Sequence, residues 1–88
     1  MRITLEKFAE ETGEELIFLD GYDSAIVGII KKANHYSVLY DTNIILSTLM
    51  QDMSEDDAYE WFSFNIESAW FGNNTPAFTC NIHEFMRN

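Results

Sequence analysis

Apolar and polar residues change rhythm several times along the chain, and each change marks an element. Leu5, Phe8 and Ala9 recur at helical spacing behind Thr4, a residue suited to capping, so the pattern predicts a short first helix. Gly13 stands where a left-handed residue would close it. Residues 15–19 read as a strand. Asp20-Gly21-Tyr22-Asp23 reads as a turn, because glycine supplies positive φ and aspartate bonds its own backbone. Residues 25–31 are dense in Ile and Val, as in a strand buried on both faces or central in a sheet. Asn34-His35 makes the next turn, and residues 36–40 alternate, with Tyr36, Val38 and Tyr40 on one side.

The second half reads as helical. Asp41 or Thr42 caps a helix through Met50, whose apolar positions are Ile44, Ile45, Leu46, Leu49 and Met50. Ser54-Glu55-Asp56-Asp57 resembles a capping box, with Ser54 as N-cap and three acids complementing the helix dipole. From there Ala58, Trp61, Phe62, Asn65, Ile66 and Ala69 repeat at helical spacing until Gly72 ends the run. Residues 76–79 add a short strand, with Pro76 at its start or at an edge. The order α-β-β-β-α-α-β predicts an α+β fold: a small antiparallel sheet of three or four strands with helices packed on one face. Ile26, Ile30, Val38, Trp61, Phe62 and Ile66 are its expected core. With no repeat, linker or low-complexity stretch, residues 1–88 are expected to form one domain.

The long helix carries the least ordinary pattern. At about 100° per residue, Ala58, Tyr59, Trp61, Phe62, Ile66, Ala69 and Trp70 share a broad apolar arc. Asp56, Asp57, Glu60, Ser63 and Glu67 share the opposite one, yet Phe64 and Phe71 fall among those acids. Either these rings pack against the first helix or the C-terminal tail, or they form an exposed aromatic patch ringed by acids, a layout that suits a partner-binding surface. The candidate partner-binding residues are Asp56, Asp57, Glu60, Phe64 and Glu67.

Charge sharpens that reading. Among 88 residues, 15 Asp and Glu face 5 Lys and Arg, for a formal net charge of −10. Such a balance opposes direct binding of nucleic acid or an anionic membrane and favours a basic protein partner. The apolar content of 47% is ample for one core. Cys80 is alone, and Arg2, Glu6, Lys7, Glu10 and Glu11 leave no room for an apolar leader at the N-terminus, so the expected location is the cytoplasm. The apolar runs at 16–19 and 25–30 fall far short of the roughly 20 residues of a membrane span.

Chemistry-bearing groups are sparse. The acids between Asp52 and Glu60 cross a helix start with no glycine turn among them, unlike a calcium loop. Cys80, His83 and His35 supply too few nitrogen and sulfur donors for a structural zinc site. Cys80 has no local signature of a nucleophile, and Gly13, Gly21, Gly28 and Gly72 are too scattered for a phosphate loop. The expectation is therefore a protein that is not an enzyme, with no metal, no cofactor and no catalytic residue. The alternative is a small enzyme or metal-dependent accessory protein using Asp20, Asp23 and Asp41.

Three stretches carry a resemblance: DGYDSAIVGI at 20–29, VLYD at 38–41 and MSEDDAYEWFSFNIESAWFGNNTPAF at 53–78. Together they resemble a family of small acidic uncharacterised proteins of bacteriophages and prophages. The matching features are Asp20-Gly21-Tyr22, Tyr40-Asp41, the helix start from Met53 to Ala58, Phe64-Asn65, and Gly72 with Thr75-Pro76. Trp70-Phe71 and the tail from Cys80 to Asn88 depart from the pattern. The resemblance implies a viral origin and carries no catalytic residue. It also implies a way of acting, by occupying a host nucleic-acid-handling or defence protein, either as an inhibitor or by imitating the charge of DNA.

Overall fold

The computed structural model describes residues 1–80 of the chain. It is a small α+β domain: helix α1 (Arg2–Thr12), a 3-10 turn (Asp23–Ala25), strands β1 (Ile26–Lys32) and β2 (His35–Tyr40), helices α2 (Thr42–Leu49) and α3 (Glu55–Phe62), a π-helical turn (Ser63–Glu67) and strand β3 (Ala77–Phe78).

Helix α1 begins earlier than Thr4 predicts, with Met1 at the N-cap and no side-chain cap. It ends as expected: Gly13 takes a left-handed φ of 76° and its N–H donates to the Ala9 carbonyl at 2.9 Å. Asp41, not Thr42, caps α2. Its Oδ1 accepts from the backbone N–H groups of Asn43 and Ile44 at 2.9 and 3.2 Å, satisfying donors a helix start leaves unpaired. Ser54 caps α3 by accepting from the N–H of Asp57.

Residues 15–19 are not a strand. Two of their backbone groups are met by side chains from elsewhere in the chain. The Leu19 N–H donates to the Tyr40 hydroxyl at 2.8 Å, and Asn74 Nδ2 donates both to the Glu15 carbonyl and to the Tyr36 carbonyl. Leu16, Phe18 and Leu19 still pack on the core, which is why the stretch reads as apolar. The Arg2 guanidinium lies 4.6 Å from the centre of the Phe18 ring and bonds Asp23 at 2.9 Å.

The sheet has order β1-β2-β3 and is mixed, which corrects the antiparallel expectation. Strands β1 and β2 form an antiparallel hairpin whose turn falls at Ala33-Asn34, one residue before the expected position. A register irregularity separates Ile26 from Gly28. β3 returns parallel to β2, pairing Leu39 with Ala77 and Tyr40 with Phe78. Two helices lie between β2 and β3, and a crossover of that length allows a parallel partner.

Tyr36, Val38 and Tyr40 share one face of β2. Phe8 of α1 meets Tyr36 edge-on at 5.3 Å. Phe78 meets Tyr40 at 6.1 Å and Phe62 of α3 edge-on at 5.4 Å. The core joins Tyr40, Phe62 and Phe78 to Leu5, Ile45, Leu46, Leu49, Ala58 and Ile66. Two expected core residues sit differently: Ile30 is only half-buried, and Trp61 is 41% exposed. On β2, Ser37 is buried and its hydroxyl has no hydrogen-bond partner among the described residues, an arrangement that costs stability.

Candidate functional site: the faces of α3 and the furrow beside it

An α-helix turns about 100° per residue, so residues four apart drift by about 40° and a straight stripe of them spirals away. The π turn at Ser63–Glu67 closes wider rings, and each of its residues advances less around the axis. Over those five residues the drift built up in α3 is partly taken back, so residues four apart stay on a common side of the segment. Ala58, Phe62 and Ile66 make the buried stripe. Tyr59, Ser63 and Glu67 make a second, lining a furrow against α2. Asp56, Glu60 and Phe64 make a third, all exposed and on the side away from the core. Asp57, Trp61 and Asn65 make the last, tied by a bond from Asn65 Nδ2 to the Trp61 carbonyl.

The five candidate residues are therefore divided. Asp56, Glu60 and Phe64 stand together and Asp57 flanks them beside Trp61, whereas Glu67 is turned into the furrow. Phe64 is 73% exposed, so the ring is not packed against α1; most of the C-terminal tail, the other expected neighbour, lies outside the described residues. Phe71 was expected on the same arc, but the helical run ends at Ser68, before Gly72. Trp70 and Phe71 are both exposed in the stretch that follows, where the Phe71 N–H donates to Thr75 Oγ1 at 2.7 Å. Neither ring can be placed on the helix face by spacing.

The furrow has two connected parts of about 460 and 250 Å³. Asn43 and Leu46 of α2 and Tyr59 of α3 line both, so the two are continuous. The floor of the larger part is Leu46, Phe62 and Phe78, with Thr79 and Cys80 at its margin. Thr42 and Thr79 lock that margin reciprocally: the Thr42 N–H donates to Thr79 Oγ1 and the Thr42 hydroxyl donates to the Thr79 carbonyl. Glu67 stands at one end and Glu55 at the other, and no Lys, Arg or His among the described residues lines either part. Sequence reasoning missed this furrow. Its signal was the strict four-residue spacing of Ala58, Phe62 and Ile66, where an α-helix mixes threes and fours.

The carboxylates of the alternative reading have other occupations. Asp41 caps α2, Asp23 pairs with Arg2, and Asp20 lies exposed at the turn. Among the described residues no three His, Cys, Asp or Glu side chains come close enough to hold a metal ion. His83 lies outside the described residues, so the Cys80–His83 pair has no structural counterpart here. No described helix is long and apolar enough to cross a membrane.

No family model matches the chain, and comparison with curated proteins and with solved structures found no match.

Proposed function

We propose that the protein acts by binding another protein, and that its outer α3 face engages a basic host protein as an inhibitor of phage or prophage origin. The single observation that carries this reading is Phe64. A large ring left 73% exposed, in line with Glu60 and Asp56 and beside the half-exposed Trp61, provides an apolar anchor inside an acidic rim. Exposed rings of this kind concentrate binding energy at interfaces, while surrounding charge steers the approach of an oppositely charged partner. Imitation of DNA gains less support, because the departure of Glu67 into the furrow shortens the row of carboxylates such imitation requires. Anchoring by the ring, assisted by charge, is the form of the reading we favour.

The test uses a partner captured from bacterial lysate and then purified. Association should slow as salt rises, because the screening length shrinks to about 8 Å at 0.15 M. Combining Asp56→Asn with Glu60→Lys should slow association further, and Phe64→Ala should chiefly speed dissociation, by about tenfold or more. Rates unchanged in both variants would refute the outer face as the binding surface.

A further inference from the structure

We infer that the furrow between α2 and α3 is a second binding surface, and that it takes a basic amphipathic helix of a partner protein. The inference rests on the reading that the protein binds other proteins, but it concerns a different set of side chains from the outer face.

Three features select this occupant. The floor is apolar, formed by Leu46, Phe62 and Phe78, and runs between two helices, the setting in which an amphipathic helix lays its apolar face. Each end carries a carboxylate, Glu55 and Glu67, and no basic side chain of the described residues competes for them. The helical segment between these two rises roughly 18 Å at 1.5 Å per residue. A partner helix of about three turns fills that length, with leucine-like side chains along its inner face and a Lys or Arg at each end. An acidic or purely polar helix is rejected, the first by the two carboxylates and the second by a floor it cannot cover.

The π turn is what builds this surface. With continuous α-helical geometry, Glu67 would drift roughly 80° from Tyr59 and leave the furrow. Held in the Tyr59–Ser63–Glu67 stripe, it closes one end with charge.

The experiment measures fluorescence anisotropy of a labelled 12-residue Leu/Lys peptide with its leucines on one helical face, against the full chain. A peptide of the same composition with leucines scattered around the helix is the control for unspecific attraction to an acidic protein. The amphipathic peptide should bind at least about tenfold more tightly than the scattered one. Ser63→Trp and Asn43→Trp, both at exposed positions lining the furrow, should each weaken it about tenfold, and Glu67→Lys likewise. Glu60→Lys, on the outer stripe, should change affinity less than about threefold. Circular dichroism of each variant verifies that the fold is retained.

Equal binding of the two peptides overturns the inference, as does indifference to both tryptophan variants. Loss of binding only in Glu60→Lys or Phe64→Ala would refute the furrow while leaving the outer-face reading in place. Two other results assign the furrow to a different occupant and also overturn the inference. One is a dimer in sedimentation that Ser63→Trp converts to monomer, which makes a second copy the occupant. The other is an affinity raised about tenfold when Ile82, Phe85 and Met86 are replaced by serine, which makes the chain's own residues 81–88 the occupant.

Discussion

Phe62 and Phe64 carry the same ring on the same helical segment, yet Phe62 is 3% exposed and Phe64 is 73% exposed. The neighbours in each stripe account for the difference. Phe62 lies between Ala58 and Ile66 and meets Phe78 edge-on, so its ring contacts apolar atoms on the core side. Phe64 lies in line with Glu60 and Asp56, on the side facing away from the sheet. Hydrophobicity set neither outcome, since it is equal in the two. The stripe a residue occupies decides whether its apolar area stabilises the fold or remains available for binding.

The sharpest way to break that comparison is to truncate both rings. Phe62→Ala should destabilise by about 3–5 kcal/mol, as deletion of a buried aromatic does, and Phe64→Ala by less than about 0.5 kcal/mol. Denaturant midpoints measure both, and comparable losses would mean that the outer ring is part of the core.

A smaller effect is expected at Tyr40, on the inner side of the same core. Burial is the main cause that pushes its hydroxyl above the usual value of 10.0, with the bond from the Leu19 N–H acting against it. In the unfolded chain the phenol ionises near 10, whereas the folded protein keeps its proton to higher pH. The stabilisation is therefore complete below about pH 10 and is lost as pH rises through the folded value. Tyr40→Phe should cost about 1–3 kcal/mol at neutral pH, because the Leu19 N–H loses its acceptor. It should also flatten the fall in melting temperature between about pH 9 and 11. Tyr22, likewise raised by burial, leaves a residual slope in the variant. An unchanged alkaline limb would show that the Tyr40 hydroxyl is not held protonated.

The smallest expected effect is on the outer face. Asp56→Asn with Glu60→Lys should move stability by no more than about 1 kcal/mol, the larger part from the lost acid in the first turn of α3. Thermal unfolding of the double variant checks this, and a larger loss would make those acids structural.

Much of the fold was legible because the signals are local. Gly13 closes α1, Asp41 and Ser54 cap α2 and α3, and the Ile- and Val-rich run precedes an alternating strand. The stretch 15–19 was misread for a related reason. Its apolar residues do pack on the core, but its backbone is held by Tyr40 and Asn74, residues distant in sequence. Of the candidate site, helical spacing put Phe64 among the acids of one arc, and the structure leaves Phe64 exposed with Asp56 and Glu60 on the side away from the core. Glu67 was misplaced because a uniform 100° rotation was carried through a turn that does not follow it, and Trp61, within regular α3, because its side of the helix faces solvent.

Sequence alone therefore determined the elements whose causes lie within a few residues: the Gly13 stop of α1, the Asp41 and Ser54 caps, and the hairpin strands. The tertiary structure decided everything that depends on which surfaces meet. It turned β3 parallel to β2, because that choice follows from how two intervening helices pack and not from the strand's own residues. It placed Leu46, Phe62 and Phe78 under one furrow, three residues from three elements that no spacing relates. It widened the helix at Ser63–Glu67, aligning Ala58, Phe62 and Ile66 on the core and carrying Glu67 to the furrow's end. Burying that third apolar residue in line with the other two stabilises a turn that local helix propensity would not select.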